Sequence, residues 1–200
     1  MARAREKLPQ IGFWDAEVAL PKHDDICTWI YENADDVLRT LYPEHFDRDW
    51  KSSDFSHATG VETTDIGAAF LAATPRPNPK IVKKELEPVL RSYSGYNRNV
   101  ERIVGYGDVL LTYMFPTVEN IYDPKILSNR DAVIGYQISG DGYQVLLEAK
   151  TVLPTLGELM RQLNLYATAF TGKQAVISPD DRYATILREQ GYGFMTYPTT

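Results

Sequence analysis

The segment that most constrains the fold is an apolar run followed at once by a helix-like stretch, YQVLLEAKTVLPTLGELMRQLNLY, from Tyr143 to Tyr166. Its first half predicts a strand that is buried along most of its length and ends on Glu148 and Lys150. After Pro154, apolar residues recur at helical spacing, which predicts an amphipathic helix. A buried strand that leads directly into a helix indicates a domain of mixed α/β class.

The first part of the chain is helical in pattern, and strand patterns follow it. DDICTWIYENADDVLRTLY predicts one helix, capped by Asp24 or Asp25 and ended by Pro43, and a short helix is predicted around Ile66–Ala73. TPRPNP then indicates a connector. Strand patterns follow in IVKKELEPVLRSY and in ERIVGYGDVLLTYMF, and PTVENIYDPKILSNRD reads as a polar insertion.

The last part of the chain predicts a hairpin and two crossover units. AVIGYQI and YQVLLEAKT form the hairpin, with Gly140 and Gly142 in its turn SGDG. The helix after Pro154 ends at Gly172. KQAVISP and YGFMTYP then predict strands on either side of the helix DDRYATILREQG. The predicted order is helix, three or more strands, helix, strand, helix, strand, which indicates a mixed sheet flanked by helices.

The composition is that of one globular domain. Of the 200 residues, 44% are hydrophobic and 24% are charged, which is enough for a sizeable core and argues against disorder. We expect a single domain over residues 1–200, with an N-terminal helical part at about 1–79 and a core at about 80–200. Neither part alone carries enough apolar residues to look independent.

Charge and cysteine content restrict the partners and the compartment. The net charge is −6, which counts against a protein that coats DNA through a global basic field. The single cysteine, Cys27, excludes an internal disulfide and a CxxC metal site and fits a reducing cytoplasm, where we expect the protein. The N-terminus has no apolar core segment, and no run of about 18 apolar residues occurs, so we expect neither a secretory signal nor a membrane span.

The charged end of the strand that contains Glu148 and Lys150 is the main chemical feature. Residues two apart in a strand point to the same face, and burying both charges without partners would cost several kcal/mol. A carboxylate can bind a hard cation such as Mg²⁺, and a neighbouring lysine can orient water or neutralise developing charge. This pattern favours phosphodiester hydrolysis, provided that another strand supplies a second acid.

Two aspartates are candidates for that second acid. Asp108 lies within GYGDVLL, a run otherwise suited to a central strand, where Gly105 and Gly107 permit a bulge or a close backbone approach. Asp131 stands at the head of the strand that precedes Glu148. Strand context favours Asp108, which requires the residues between Asp108 and Glu148 to loop out as an insertion.

The segments GYGDVLL, VLLEAK and GELMRQLNLY together resemble the PD-(D/E)XK nuclease superfamily. The elements shared with that superfamily are an acid, a strand ending in Glu-x-Lys and a helix similar to the QxxxY element of its RecB-like branch. The resemblance implies a restriction-endonuclease-like αβββαβ core from about Ile81 to Pro179, with the N-terminal helix as the first α. It further implies a nuclease that hydrolyses DNA with Mg²⁺ or Mn²⁺.

The same resemblance implies a role for each residue of the site. Asp108 and Glu148 would be metal ligands and Lys150 the catalytic lysine. The backbone carbonyl of Ala149 would complete the metal shell. Two residues of the helix, Gln162 and Tyr166, would support the site or contact the nucleic-acid backbone. Glu87, or alternatively Glu32, would add a further acid.

A basic, tyrosine-rich stretch, RSYSGYNRNVER, admits two interpretations. Arg91, Arg98 and Arg102, together with Tyr96, could grip a phosphate backbone and stack on bases. An ordinary polar turn with surface arginines explains the pattern equally well. Cleavage of both strands would favour a homodimer, and the negative net charge favours either a local basic rim or a protein partner that delivers DNA.

Other interpretations place no catalysis in this chain. A nucleic-acid-binding or protein-interaction domain on the same fold would leave Glu-x-Lys incidental. The three histidines, His23, His45 and His57, share no metal-ligand spacing, and KHDD before a helix indicates capping. The spacing of Cys27 indicates a core position, and Glu158 is expected to be a surface charge.

Overall fold

The computed structural model describes residues 20–55, 57–58, 60–94, 100–123 and 133–198. The α-helices are α1 His23–Glu32, α2 Ala34–Leu41, α3 Asp65–Ala73, α4 Leu156–Ala167 and α5 Ala184–Glu189. The strands are β1 Lys80–Leu86, β2 Val89–Ser94, β3 Val100–Tyr106, β4 Val109–Tyr122, β5 Val133–Ala149, β6 Lys173–Ser178 and β7 Gly193–Thr196. Two 3₁₀ turns, Pro43–His45 and Ser52–Phe55, lie between α2 and α3.

Five strands form one mixed sheet in the order β1-β4-β5-β6-β7. β1, β4 and β5 are antiparallel neighbours, whereas β5, β6 and β7 run parallel and are connected through α4 and α5. β2 and β3 form a separate antiparallel ribbon. The predicted mixed α/β class, with helices flanking a mixed sheet, is therefore confirmed.

The predicted hairpin turn SGDG is wrong, because β5 is continuous through it. Gly140 pairs with Pro116 and Gly142 with Met114, inside a long β4–β5 ladder. A Cβ on Gly140 would lie 3.0 Å from Cε of Met114. Glycine at this position therefore makes room for the Met114 side chain and does not form a turn. The expected polar insertion is also in part strand, since β4 extends to Tyr122. A long two-stranded extension thus fills much of the sequence between Asp108 and Glu148.

Alternation along the central strands separates two hydrophobic layers. Val109, Leu111 and Tyr113 of β4, with Val145 and Leu147 of β5, face α1 and α2. The opposite face carries the α4 and α5 layer. That layer includes Leu110, Leu146 and Val176 of the sheet and Leu159, Leu163 and Tyr166 of α4. The end of β5 is therefore enclosed between a helical layer on each side.

The N-terminal helix is two helices, and its cap differs from the prediction. The amide of Asn33 donates to the carbonyl of Trp29 (2.8 Å) and occupies the junction between α1 and α2. Lys22 is the N-cap of α1, and Asp25 accepts from its backbone N–H at 3.2 Å rather than being the cap itself. No helix in the described ranges is long and apolar enough to cross a membrane.

The helix after the Glu148 strand is capped by side chains at its start. Thr155 and Glu158 form a reciprocal capping box, so the exposed Glu158 has a structural role at the N-terminus of α4. The predicted end at Gly172 is wrong, because α4 ends at Ala167. A Cβ on Gly172 would lie 2.6 Å from the carbonyl oxygen of Gln144, so this glycine permits a close backbone approach.

Candidate active site

The sequence had indicated that Asp108 lies within a strand, but the structure places it between two strands, β3 and β4. The run predicted as a single strand is divided at Gly107 and Asp108 into β3 and β4. Two backbone hydrogen bonds fix this bend: Glu87 N–H donates to the Asp108 carbonyl at 2.9 Å, and Gly107 N–H donates to the Pro88 carbonyl at 3.0 Å. A Cβ on Gly107 would lie 2.4 Å from Cδ1 of Leu146. Glycine therefore lets the bend approach the sheet closely.

Glu148 is the buried centre of the site, with only 2% of its surface exposed. It lies near the end of β5 on the face towards α4. Its Oε1 accepts hydrogen bonds from Lys150 Nζ, at 2.5 Å, and from Gln162 Nε2. Its Oε2 is also buried and has no hydrogen-bond partner in the described part of the chain. One oxygen of the carboxylate is thus held by two donors, and the other can accept a ligand.

The electrostatic environment disfavours a negative charge on Glu148. Burial, and then the negative charge of Asp108, raise the pKa of the Glu148 carboxyl above its usual range. Lys150 and Gln162 act in the opposite direction without cancelling this effect. A cation placed between the two carboxylates would relieve the repulsion between Asp108 and Glu148 and would give Oε2 of Glu148 a partner.

Gln162 and Tyr166 of α4 form a chain of hydrogen bonds behind Glu148. The Gln162 amide donates to the Tyr166 hydroxyl at 2.7 Å as well as to Glu148. The Tyr166 hydroxyl in turn donates to the carbonyl of Tyr106 at 2.8 Å, two residues before Asp108. Gly105 makes room for the ring, since a Cβ there would lie 3.1 Å from Cε1 of Tyr166. This chain fixes the positions of α4, Glu148 and the Asp108 bend relative to one another.

Both oxygens of Asp108 have partners. Oδ2 accepts from the backbone N–H of Ala149 at 2.7 Å, and Oδ1 lies 3.2 Å from Nε2 of His23. The side chain is mostly buried, with 17% exposed. Because the Ala149 peptide directly follows Glu148, this hydrogen bond brings the predicted second acid to the Glu-x-Lys strand.

His23 and Cys27 also belong to this region, and the sequence interpretation missed them. His23 Nδ1 lies 3.2 Å from Asp24, and Cys27 Sγ lies 3.8 Å from both ring nitrogens of His23. Burial, followed by the charges of Asp108 and Asp24, raises the pKa of Cys27 to about 12. The signal in the sequence was the i, i+4 spacing of a histidine and a cysteine, which places both on one helix face.

The remaining predicted residues differ in how they relate to the site. Glu87 is exposed and contacts Asp108 through its backbone; its charge contributes to the raised pKa of Cys27. Arg91 pairs with Glu101 at 2.8 Å across the β2–β3 ribbon, and Arg102 is exposed on β3. The other predicted residues, Asp131, Arg98 and Tyr96, lie outside the described residues.

The donor set suits a hard divalent cation. Glu148 offers the unpartnered Oε2, and Asp108 offers carboxylate oxygens, which are the ligands that Mg²⁺ prefers. The N–H and C=O groups of one strand residue project from the same edge. The Ala149 carbonyl therefore leaves β5 on the edge where its N–H meets Asp108. Asp108, Glu148 and the Ala149 carbonyl are thus compatible with Mg²⁺ or Mn²⁺.

Comparisons with protein-family models, with curated proteins and with solved structures each found no match to this chain. Its function is therefore inferred from the arrangement of its own side chains.

Proposed function

We propose that this chain is a metal-dependent nuclease of PD-(D/E)XK type that hydrolyses phosphodiester bonds in DNA with Mg²⁺ or Mn²⁺. The observation that carries the proposal is the asymmetric carboxylate of Glu148. Its Oε1 is held by Lys150 and Gln162, while its buried Oε2 has no partner in the described residues. A buried carboxylate oxygen left free beside a second acid is costly, and a bound cation would offset that cost.

The element order supports a restriction-endonuclease-like core. A helical layer, the antiparallel strands β1, β4 and β5, the helix α4 and the parallel strand β6 follow the order αβββαβ. The ribbon β2–β3 is an addition between the first and second strands of this core. The Asp108 bend and the Glu148 strand adjoin at one end of the sheet, where such a site requires them.

Each side chain has a distinct role in the proposed reaction. Asp108 and Glu148 would hold the cation, which would supply positive charge next to the scissile phosphate and would lower the pKa of a bound water. Lys150, 23% exposed, has its ammonium at the edge of the site, where it donates hydrogen bonds to the attacking water or to the phosphate. Gln162 and Tyr166 keep Glu148 in place, because accurate positioning supplies much of the rate.

DNA is the proposed substrate, and the acidic chain needs local help to hold it. The exposed Arg102 places a positive charge on the β2–β3 ribbon, whose β3 strand leads directly into the Asp108 bend, whereas the charge of Arg91 is balanced by Glu101. With a net charge of −6, few phosphates can be neutralised, so we expect weak nonspecific binding at physiological salt. A homodimer or a delivering protein partner would supply the missing affinity.

The test is cleavage of supercoiled plasmid and linear DNA with Mg²⁺, with Mn²⁺ and with EDTA. We expect cleavage only with metal, and Lys150→Ala should lower its rate at least about 100-fold. Lys83→Ala is the matched control, since Lys83 forms an exposed pair with Glu85, also two residues away on a strand, at 2.8 Å. Absence of metal-dependent cleavage, or cleavage unaffected by Lys150→Ala, would refute the proposal. DNA binding without cleavage would instead indicate a non-catalytic nucleic-acid-binding domain.

A further inference from the structure

His23, Cys27 and Asp108 bring three different metal-ligand atoms to one point. An imidazole nitrogen, a thiol sulfur and a carboxylate oxygen all lie within 4.8 Å of one another. His23 Nε2 is 3.2 Å from Asp108 Oδ1 and 3.8 Å from Cys27 Sγ. Two of the ligands come from α1 and the third from the bend before β4, so the cluster joins two separate parts of the fold.

The two separations measured from His23 Nε2 are close to the edges of a tetrahedron around zinc. Zinc bonds of about 2.0–2.1 Å to nitrogen, 2.0–2.2 Å to oxygen and 2.3 Å to sulfur imply edges of about 3.4 Å between nitrogen and oxygen and about 3.6 Å between nitrogen and sulfur. The corresponding distances from His23 Nε2 are 3.2 Å and 3.8 Å. We propose that His23, Cys27 and Asp108 form a Zn²⁺ site with a fourth position open to solvent.

Asp24 supports this assignment because it contacts the other ring nitrogen of His23. Its Oδ1 lies 3.2 Å from Nδ1 of His23, on the opposite side of the ring from Asp108. A metal-binding histidine commonly donates its other ring N–H to a carboxylate, which fixes the tautomer and the ring orientation. Asp24 would hold the proton on Nδ1 and leave the lone pair of Nε2 for the cation.

The ligand chemistry separates this site from the proposed Mg²⁺ site. Thiolate and imidazole ligands favour zinc, whereas Mg²⁺ prefers oxygen ligands only. Asp108 is common to both sets, since it also lies beside the Glu148 strand. Zinc at His23 and Cys27 would therefore occupy a carboxylate that the cleavage reaction needs, and would inhibit that reaction.

The test is binding of Zn²⁺ and Co²⁺ to the full chain. Zinc affinity is measured by competition with a chromogenic chelator, and Co²⁺ is followed by the near-ultraviolet absorption of a cobalt–thiolate bond. Because Cys27 is the only cysteine, this absorption reports on that residue alone. We expect one Zn²⁺ per chain and a cobalt–thiolate band.

Three variants should weaken zinc binding, and one should not. Cys27→Ser and His23→Gln should each lower zinc affinity at least about tenfold, and Asp24→Asn by about tenfold. His57→Gln is the matched control, because His57 forms another His–Asp pair with Asp141, at 3.2 Å, away from the thiol. Wild-type zinc affinity in Cys27→Ser, or no thiolate band with Co²⁺, would overturn the proposal.

Inhibition of DNA cleavage by zinc is a second readout, and it rests on the proposed nuclease function. We expect zinc to inhibit the wild-type protein more strongly than Cys27→Ser at equal Mg²⁺. The two failures are distinguishable. Zinc binding without any cleavage would refute the nuclease while supporting the zinc site, and cleavage without zinc binding would do the reverse.

Discussion

The side-chain amide of Gln162 donates to the same oxygen of Glu148 that the Lys150 ammonium contacts. Both local donors are thus concentrated on Oε1, and the buried Oε2 is left without a partner in the described structure. The protein retains a polar atom in an unfavourable position, as expected where function and stability conflict.

Replacing Glu148 by Gln should therefore stabilise the metal-free protein at neutral pH. Burial and the Asp108 charge raise the pKa of Glu148, so its ionised form disfavours the folded state above that raised pKa. We expect a gain of about 0.5–2 kcal/mol in the free energy of unfolding. The gain should shrink as the pH falls through the raised pKa, because the wild-type carboxyl then becomes neutral. Urea unfolding at several pH values measures it.

Glu158→Gln is the matched control, with the opposite sign expected. Hydrogen bonds from Thr155 lower the pKa of Glu158, so its charge stabilises the fold above its ordinary pKa, and this contribution is lost as the pH falls. The variant should be less stable than the wild type at neutral pH. Mg²⁺ should raise the unfolding midpoint of the wild type and of Glu158→Gln, but not that of Glu148→Gln. Equal Mg²⁺ stabilisation of all three proteins would contradict a metal site at Glu148.

The Tyr166 hydroxyl should contribute measurably to stability. Tyr166→Phe removes the donor to the Tyr106 carbonyl and the acceptor for Gln162, in a mostly buried position. We expect a loss of about 1–3 kcal/mol in the free energy of unfolding, measured in urea. Tyr192→Phe removes an exposed hydrogen bond to Asn164, which lies in α4 like Tyr166, and should change stability by less than about 0.5 kcal/mol. Equal losses in the two variants would show that the buried chain of hydrogen bonds stabilises the fold no more than an exposed hydrogen bond does.

Gly107 should not tolerate a side chain. In Gly107→Ala the new Cβ would overlap Cδ1 of the buried Leu146, at 2.4 Å, and we expect a loss of about 1–3 kcal/mol. Gly157→Ala, in α4, meets nothing within 4 Å and should raise stability by up to about 1 kcal/mol. Thermal unfolding of both variants tests the difference. An unchanged midpoint in Gly107→Ala would contradict the close approach of the bend to the sheet.

Cys27 should react slowly with alkylating agents. Burial, then the Asp108 and Asp24 charges, raise its pKa to about 12, so very little thiolate is present near pH 8. We expect alkylation by iodoacetamide to be at least about tenfold slower than that of free cysteine, followed by mass spectrometry. Asp108→Asn should accelerate the reaction, and Asp141→Asn, with its carboxylate next to His57, should not. A rate equal to that of free cysteine would contradict a raised pKa of the Cys27 thiol.

Local patterns were enough to predict the α/β class of the fold and the elements that contain Glu148 and Gln162. The helical spacing of α4 and the apolar run of β5 are local features, and both elements formed where periodicity predicted them. The hydrogen bond between Gln162 and Glu148 depends on how α4 packs against the sheet, which periodicity alone does not give. The turn at Gly140 and Gly142 was wrong because glycine suits both a turn and a crowded strand, and pairing with the distant β4 decided between them. The contact between His23 and Asp108 joins residues far apart in the chain, so local periodicity could not reveal it.

The hydrogen bond from the Ala149 amide to Asp108 gives the strand end an unusual property. A carboxylate takes the place of a backbone carbonyl as the acceptor for an amide of β5, so the acceptor there carries a full charge. A cation that binds the Asp108 carboxylate must weaken the hydrogen bond between that carboxylate and the Ala149 N–H. The nuclear magnetic resonance signal of this one backbone proton would thus register occupancy of the site, without any chemical label placed in it.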